Sequence, residues 1–174
     1  MNELFSKLKK YSIEMEDFKL KWRFTDSKWN KLPENHLTQI VPLSNLGAKE
    51  ISKIVKDAGT SINIPFTHNY FKTIDKAKIL ENNEQIIKKW LYSRGIPFQQ
   101  EIILYWDSET AALTNWKMFV KYYDDFYYGG SDDLEVFSES LRWMLLCFHE
   151  DDFYFGTNNP YTPSNQFEEY NFCY

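Results

Sequence analysis

The strongest constraint on the fold lies in the last third of the chain. DLEVF (133–137), RWMLLCFHE (142–150) and FYFG (153–156) are apolar runs separated by only a few polar residues. Short apolar runs bounded by turn residues read as strands. Links this brief join strands that run in opposite directions, because a parallel crossover needs a dozen residues or more. An antiparallel meander over this region is therefore expected. Its middle strand carries Trp143, Leu145 and Cys147 on one face and Met144, Leu146 and Phe148 on the other.

Upstream, QQEIILYWD reads as a further strand whose apolar residues, Ile102 to Trp106, suit a central position covered on both sides. Helical periodicity marks three segments. Near 47–58, Ile51, Ile54, Val55 and Ala58 form a stripe after a capping Ser44, with Gly59 as the stop. Near 81–94, Ile86, Ile87, Trp90 and Leu91 precede an Arg94-Gly95 stop. Near 112–124, Leu113, Trp116, Phe119, Val120 and Tyr123 keep the same period. FKLKWRF (18–24) alternates like a half-buried strand, with Phe18, Leu20, Trp22 and Phe24 on one face. Thr25-Asp26-Ser27 then resembles a helix opening into KWNKL, ended by Pro33. SINIPFTHNYFKTIDK has no legible period and is read as loop with some extended structure.

These elements predict an α+β fold in one domain, 1–174. An antiparallel sheet of about four to five strands, drawn from the second half, carries three or four flanking helices on one face. Residues 1–17 form an N-terminal arm with a short helix on Leu4, Phe5 and Leu8. Residues 157–174 form a tail whose aromatics suit packing across the domain. The first segment lacks the apolar stretch of a signal peptide, and no run approaches a bilayer span. A cytoplasmic location and no membrane association are expected. The two cysteines, Cys147 and Cys173, lack the spacing of a redox or zinc motif.

The motifs exclude more chemistry than they suggest. His36 and His68 have no second ligand at metal spacing. His149 sits beside Glu150, Asp151 and Asp152, but adjacent residues of a strand point to opposite faces, so the four cannot converge while the strand continues. No metal and no cofactor are expected. There is no GxSxG elbow, and Gly129-Gly130 does not continue into a phosphate loop. GGSDDLE lacks the pattern of a calcium loop. Paired carboxylates at Asp124-Asp125, Asp132-Asp133 and Asp151-Asp152 could do acid–base work only if the turns meet, which leaves a small hydrolase or metal-dependent enzyme as an alternative.

Charge and aromatic content favour binding instead. The chain is 18% aromatic with a net charge of −5. Residues 124–152 hold nine acidic side chains against one basic one, a local net of −8. Phosphate would be repelled there, so no nucleic-acid partner is expected. WKMFVKYYDDFYYGGSDD carries more aromatics than one helix face consumes. Trp116, Phe119 and Tyr123 suit the core, whereas Tyr122, Tyr127 and Tyr128 suit exposure. With Asp124, Asp125, Asp132, Asp133, Glu150, Asp151 and Asp152 they make a candidate surface for a basic protein, which it would steer electrostatically. A structural role or homo-oligomerisation through exposed aromatics stays open beside it.

KWRFTDSKWNKLPENHLTQIVPLS, the strand ILYWD, the segment TNWKMFVKYYDDFYYGGSDD and a closing strand ending in Gly together resemble a small bacterial protein family described only as a domain of unknown function. Trp22, Phe24, Thr25, Trp116 and Phe119 match its K-W-x-F-T start and aromatic helix, and Tyr123 stands where that helix often has tryptophan. About two thirds of the chain takes part. The closing pattern DLEVFSESLRWMLLCFHEDDFYFG is similar in style to immunity proteins of bacterial toxin systems, which are small, acidic and cytoplasmic. That similarity implies a protein that covers the active surface of a toxin domain.

Overall fold

The meander forms as expected: β5 (Leu134–Phe137), β6 (Trp143–Phe148) and β7 (Asp152–Thr157) pair antiparallel in succession. The computed structural model describes residues 3–57 and 64–159. The remaining elements, in chain order, begin with α1 (Glu3–Leu8), α2 (Trp22–Thr25), α3 (Glu34–Leu37), β1 (Val41–Leu43), α4 (Asn45–Asp57) and β2 (Thr73–Lys78). They continue with α5 (Glu84–Tyr92), β3 (Glu101–Asp107), β4 (Thr110–Asn115), α6 (Trp116–Lys121) and α7 (Tyr123–Phe126). The fold is α+β with one antiparallel sheet in the order β1-β4-β3-β5-β6-β7-β2. The described residues thus hold seven strands and seven helices, more of both than the periodicity predicts.

Three corrections account for the difference. The segment expected to start a helix at 112 is instead β4, which forms a hairpin with β3 and runs Thr110 to Thr114 entirely buried. A strand buried on both faces shows no alternation, so its apolar residues mimic helical spacing. The helix begins only at Trp116, where the Asn115 side chain accepts from the Met118 backbone N–H at 2.9 Å. The expected strand 18–24 is a turn leading into α2, and 27–32 is a loop rather than a helix. The unreadable stretch after 64 contains β2, an edge strand that is largely exposed and pairs with β7. The sheet consequently draws both of its edges, β1 and β2, from the first half of the chain.

Helical and loop segments cover both faces of the sheet, not one. Phe18, Phe24, Ile87, Leu91, Trp116, Phe119 and Phe126 pack on Ile102, Leu104, Leu134, Val136, Leu145, Cys147 and Phe153. On the opposite face Phe5, Leu8, Ile51, Val55, Phe66 and Phe71 meet Ile103, Leu113, Phe137, Met144 and Leu146. The 1–17 segment therefore adds two core residues, Phe5 and Leu8. Fully burying each such side chain contributes about 1.5–3 kcal/mol. Phe71 lies directly over Gly156: a Cβ built there would sit 2.2 Å from the Phe71 Cδ2 atom. Ala58, Gly59, Cys173 and the tail beyond Asn159 lie outside the described residues. Among the described residues no helix is long and apolar enough to cross a membrane.

Candidate functional site

The two acidic turns meet at one end of the sheet. The Gly130 backbone N–H donates to the His149 carbonyl at 2.8 Å, and Tyr127 Oη donates to the Phe148 carbonyl at 2.5 Å. Asp133 Oδ1 accepts from the His149 backbone N–H at 3.1 Å and lies 2.8 Å from His149 Nδ1. Gly129 is pressed against Asp151, leaving no room there for a side chain without moving the carboxylate. Asp151 adopts a left-handed conformation, φ 61°, which an Asp accommodates better than most residues. These contacts bind the 124–133 segment to the 149–151 turn as one rim.

Within that rim the acids differ in exposure. Asp124, Asp133 and Glu150 are exposed and Asp151 is half-buried. Asp125, Asp132 and Asp152 are buried, and each is held by a partner. Asp132 and Arg23 form a two-pronged ion pair, Nη1 on Oδ2 and Nη2 on Oδ1 at 3.0 Å. Asp132 also accepts from the Tyr128 backbone N–H at 2.9 Å and from Ser131 Oγ at 3.1 Å. Burial pushes its carboxyl upward, but the Arg23 guanidinium and these donors together hold it below the usual range. Asp125 accepts from Asn30 Nδ2 at 2.8 Å, and burial raises it to about 6. Asp152 pairs with Lys76 at 2.9 Å and Lys78 at 3.4 Å across the β2–β7 ladder.

The tyrosines differ from the expectation. Tyr122 and Tyr127 are buried rather than exposed. Tyr122 Oη meets His36 Nδ1 at 2.5 Å, and the Tyr127 ring packs edge-on against Phe153. Only Tyr128 remains half-exposed, and it belongs to a cluster hidden from sequence reasoning. The rings of Trp22, Trp29 and Tyr128 lie 5.0–5.7 Å apart, and the Arg23 guanidinium sits 4.3 Å from the Tyr128 ring centre. Trp29 is 55% exposed at the tip of the 26–32 loop. A bulge at Trp106, where the β3–β4 register shifts, accompanies its indole N–H donating to the Phe126 carbonyl at 3.1 Å. Arg23 Nη1 donates to the same carbonyl at 3.2 Å. Both donors satisfy the end of the single-turn α7 beneath the rim.

One further carboxyl is perturbed. Glu135 on β5 stands opposite Tyr105 on β3 and Leu146 on β6. Its Oε2 is buried without a hydrogen-bond partner, and burial, with help from Asp133, raises it to about 7. It points to the α4 side of the sheet, whereas Asp125 belongs to α7 on the other side. The two raised carboxyls cannot flank one substrate. Cys147 is fully buried, which raises its thiol far above the ordinary range and disfavours the nucleophilic thiolate. Among the described residues no group of three or more His, Cys, Asp or Glu side chains is placed to hold a metal ion.

Fold and rim together define a small α+β protein with an acidic, aromatic end to its sheet. Comparison with protein-family models, curated proteins and solved structures finds no match.

Proposed function

We propose that this chain is a cytoplasmic, non-catalytic protein-binding module that engages a basic partner through the rim. The observation that carries the reading is the union of the 124–133 segment with the 149–151 turn, which leaves Asp124, Asp133 and Glu150 exposed on a framework fixed by hydrogen bonds. A rigid acidic surface of this kind accelerates encounter with a basic protein and loses little entropy on docking. The buried acids support the surface rather than contact the partner. The resemblance of the closing strands to immunity proteins makes a bacterial toxin domain the partner class to test first.

The test is affinity capture with the wild-type chain and an Asp124→Lys, Glu150→Lys variant, each checked for an unchanged melting temperature. A basic protein held by the wild type and released by the variant, with association slowed by salt, is the expected result. Recovery of the same partners by both proteins would remove the rim from the function.

A further inference from the structure

The sheet ends on β2, and one side of that strand has no neighbour among the described residues. The Ile79 backbone N–H donates to the Asp151 carbonyl at 2.8 Å, which makes residues 79 and 151 a hydrogen-bonded pair. Backbone groups alternate along an antiparallel ladder, so Thr73, Asp75 and Ala77 also face β7, whereas Ile74, Lys76 and Lys78 face outward. Asn83 Nδ2 donates to the Lys78 carbonyl at 3.1 Å and closes that end of the edge. The N–H and C=O groups of Ile74 and Lys76 are left as a short template for one more strand. Beside them the Ile74 side chain is 46% exposed. Lys76 and Lys78 are exposed along the strand and Lys72 at its head, and the single carboxylate of Asp152 serves two of the three. Asp75, the acid within β2, is committed to Arg94 at 2.6 Å. The edge therefore carries surplus positive charge.

We infer that residues 168–174 of this chain add to β2 as an eighth strand, running parallel to it. The described chain leaves β7 at the head of β2, where Thr157 lies opposite Thr73. Asn158 already reaches across that head: its side chain accepts from the Lys72 backbone N–H at 3.0 Å and donates to the Tyr70 carbonyl at 3.0 Å. The free edge is two strand spacings from β7, about 10 Å. Residues 160–167 cover that gap at up to about 3.3 Å each. EEYNFCY then sets Tyr170, Phe172 and Tyr174 at alternate positions, the period of a strand, in residue types that favour one. Its acids, Glu168 and Glu169, come with no basic residue anywhere in 160–174. Entry at the head fixes the parallel sense. That sense keeps both glutamates near Lys72 and Lys76, and away from Glu150 and Asp151 beyond Lys78. A second copy is the poorer occupant, because two β2 strands related by a two-fold through their middle would set Lys76 or Asp75 directly against itself. None of this depends on what the acidic rim binds.

Hydrogen exchange of the full chain, read amide by amide by NMR, tests the pairing, because the Ile74 and Lys76 N–H groups meet no strand among the described residues. Both amides are expected to be protected. A Glu168→Lys, Glu169→Lys variant should exchange them roughly two- to thirtyfold faster, the range that two exposed ion pairs represent. The Asp75 and Ala77 amides, which face β7, should be unmoved and report an intact domain. A nitroxide on Cys173 identifies the occupant, since Cys147 is fully buried and escapes the reagent. Cys173→Ser gives the unlabelled control. The label is expected to broaden the amides from Ile74 to Lys78 and to spare those of Val41–Leu43 at the opposite edge. Unprotected Ile74 and Lys76 amides, or broadening centred elsewhere on the protein, would overturn the inference. Protection without broadening would assign the edge to another occupant and overturn it too. Broadening that passes from a nitroxide-labelled copy to a separate isotope-labelled one would do the same, by showing strand exchange between chains.

Discussion

Replacing Glu135 by glutamine should make the protein more stable at pH 8 and change little at pH 5. The carboxyl is buried between Tyr105 and Leu146 with one oxygen unpartnered, so ionising it forfeits hydration that nothing in the sheet replaces. Its value rises from an ordinary 4.5 to about 7 in the folded state. That difference corresponds to about 3 kcal/mol, at roughly 1.36 kcal/mol per pH unit. Because the folded value lies above the unfolded one, the folded chain keeps its proton longer. The stability tied to that proton is complete below pH 4.5 and drains away as pH climbs through 7. Local relaxation and entering water reduce what is measured, to about 1–3 kcal/mol. Urea unfolding followed by tryptophan fluorescence at pH 5 and pH 8 gives the comparison. The wild type should lose about 1–3 kcal/mol more than Glu135→Gln between the two conditions, and Asp133→Asn should make that loss smaller and centre it at lower pH, because removing the Asp133 charge lowers the Glu135 value. Equal pH dependence of the wild type and Glu135→Gln would refute the reasoning.

Two further outcomes follow from the packing. Asp132→Ala strands the buried Arg23 charge and should cost about 3–5 kcal/mol, whereas an Arg23→Met, Asp132→Leu double variant should lose much less, as urea midpoints will show. Gly156→Ala drives a methyl group into the Phe71 ring and should cost about 1–3 kcal/mol, with part of the loss recovered when Phe71 is shortened to leucine.

How far the sequence spoke depended on what each element buries. The meander was legible because β5, β6 and β7 are short apolar runs with turns between them. β4 was not, since TAALTN is buried on both faces and offers no alternation to separate strand from helix. β2, TIDKAK, failed for the opposite reason: it is a mostly exposed edge whose lysines pair with Asp152 on the neighbouring strand. The alternation of FKLKWRF misled because Arg23, assigned to the wet face, is buried to reach Asp132 more than a hundred residues away. The acids of the candidate surface were visible by composition. Which of them are exposed was not, because burial of Asp125, Asp132 and Asp152 is decided by Asn30, Arg23 and the two β2 lysines, partners distant in the chain.

The pairing of β2 with β7 also has a consequence for biosynthesis. Thr73 lies opposite Thr157, about eighty residues later in the chain. At a synthesis rate of about 5–20 residues per second, β2 waits roughly 4–16 s for β7, its strand neighbour among the described residues, to be made. Through that interval its backbone donors and acceptors are open to any other extended chain nearby. Lys76 and Lys78, which later pair with Asp152, are by then already at work as gatekeepers: their charges discourage a nascent chain from adding to the strand before β7 arrives.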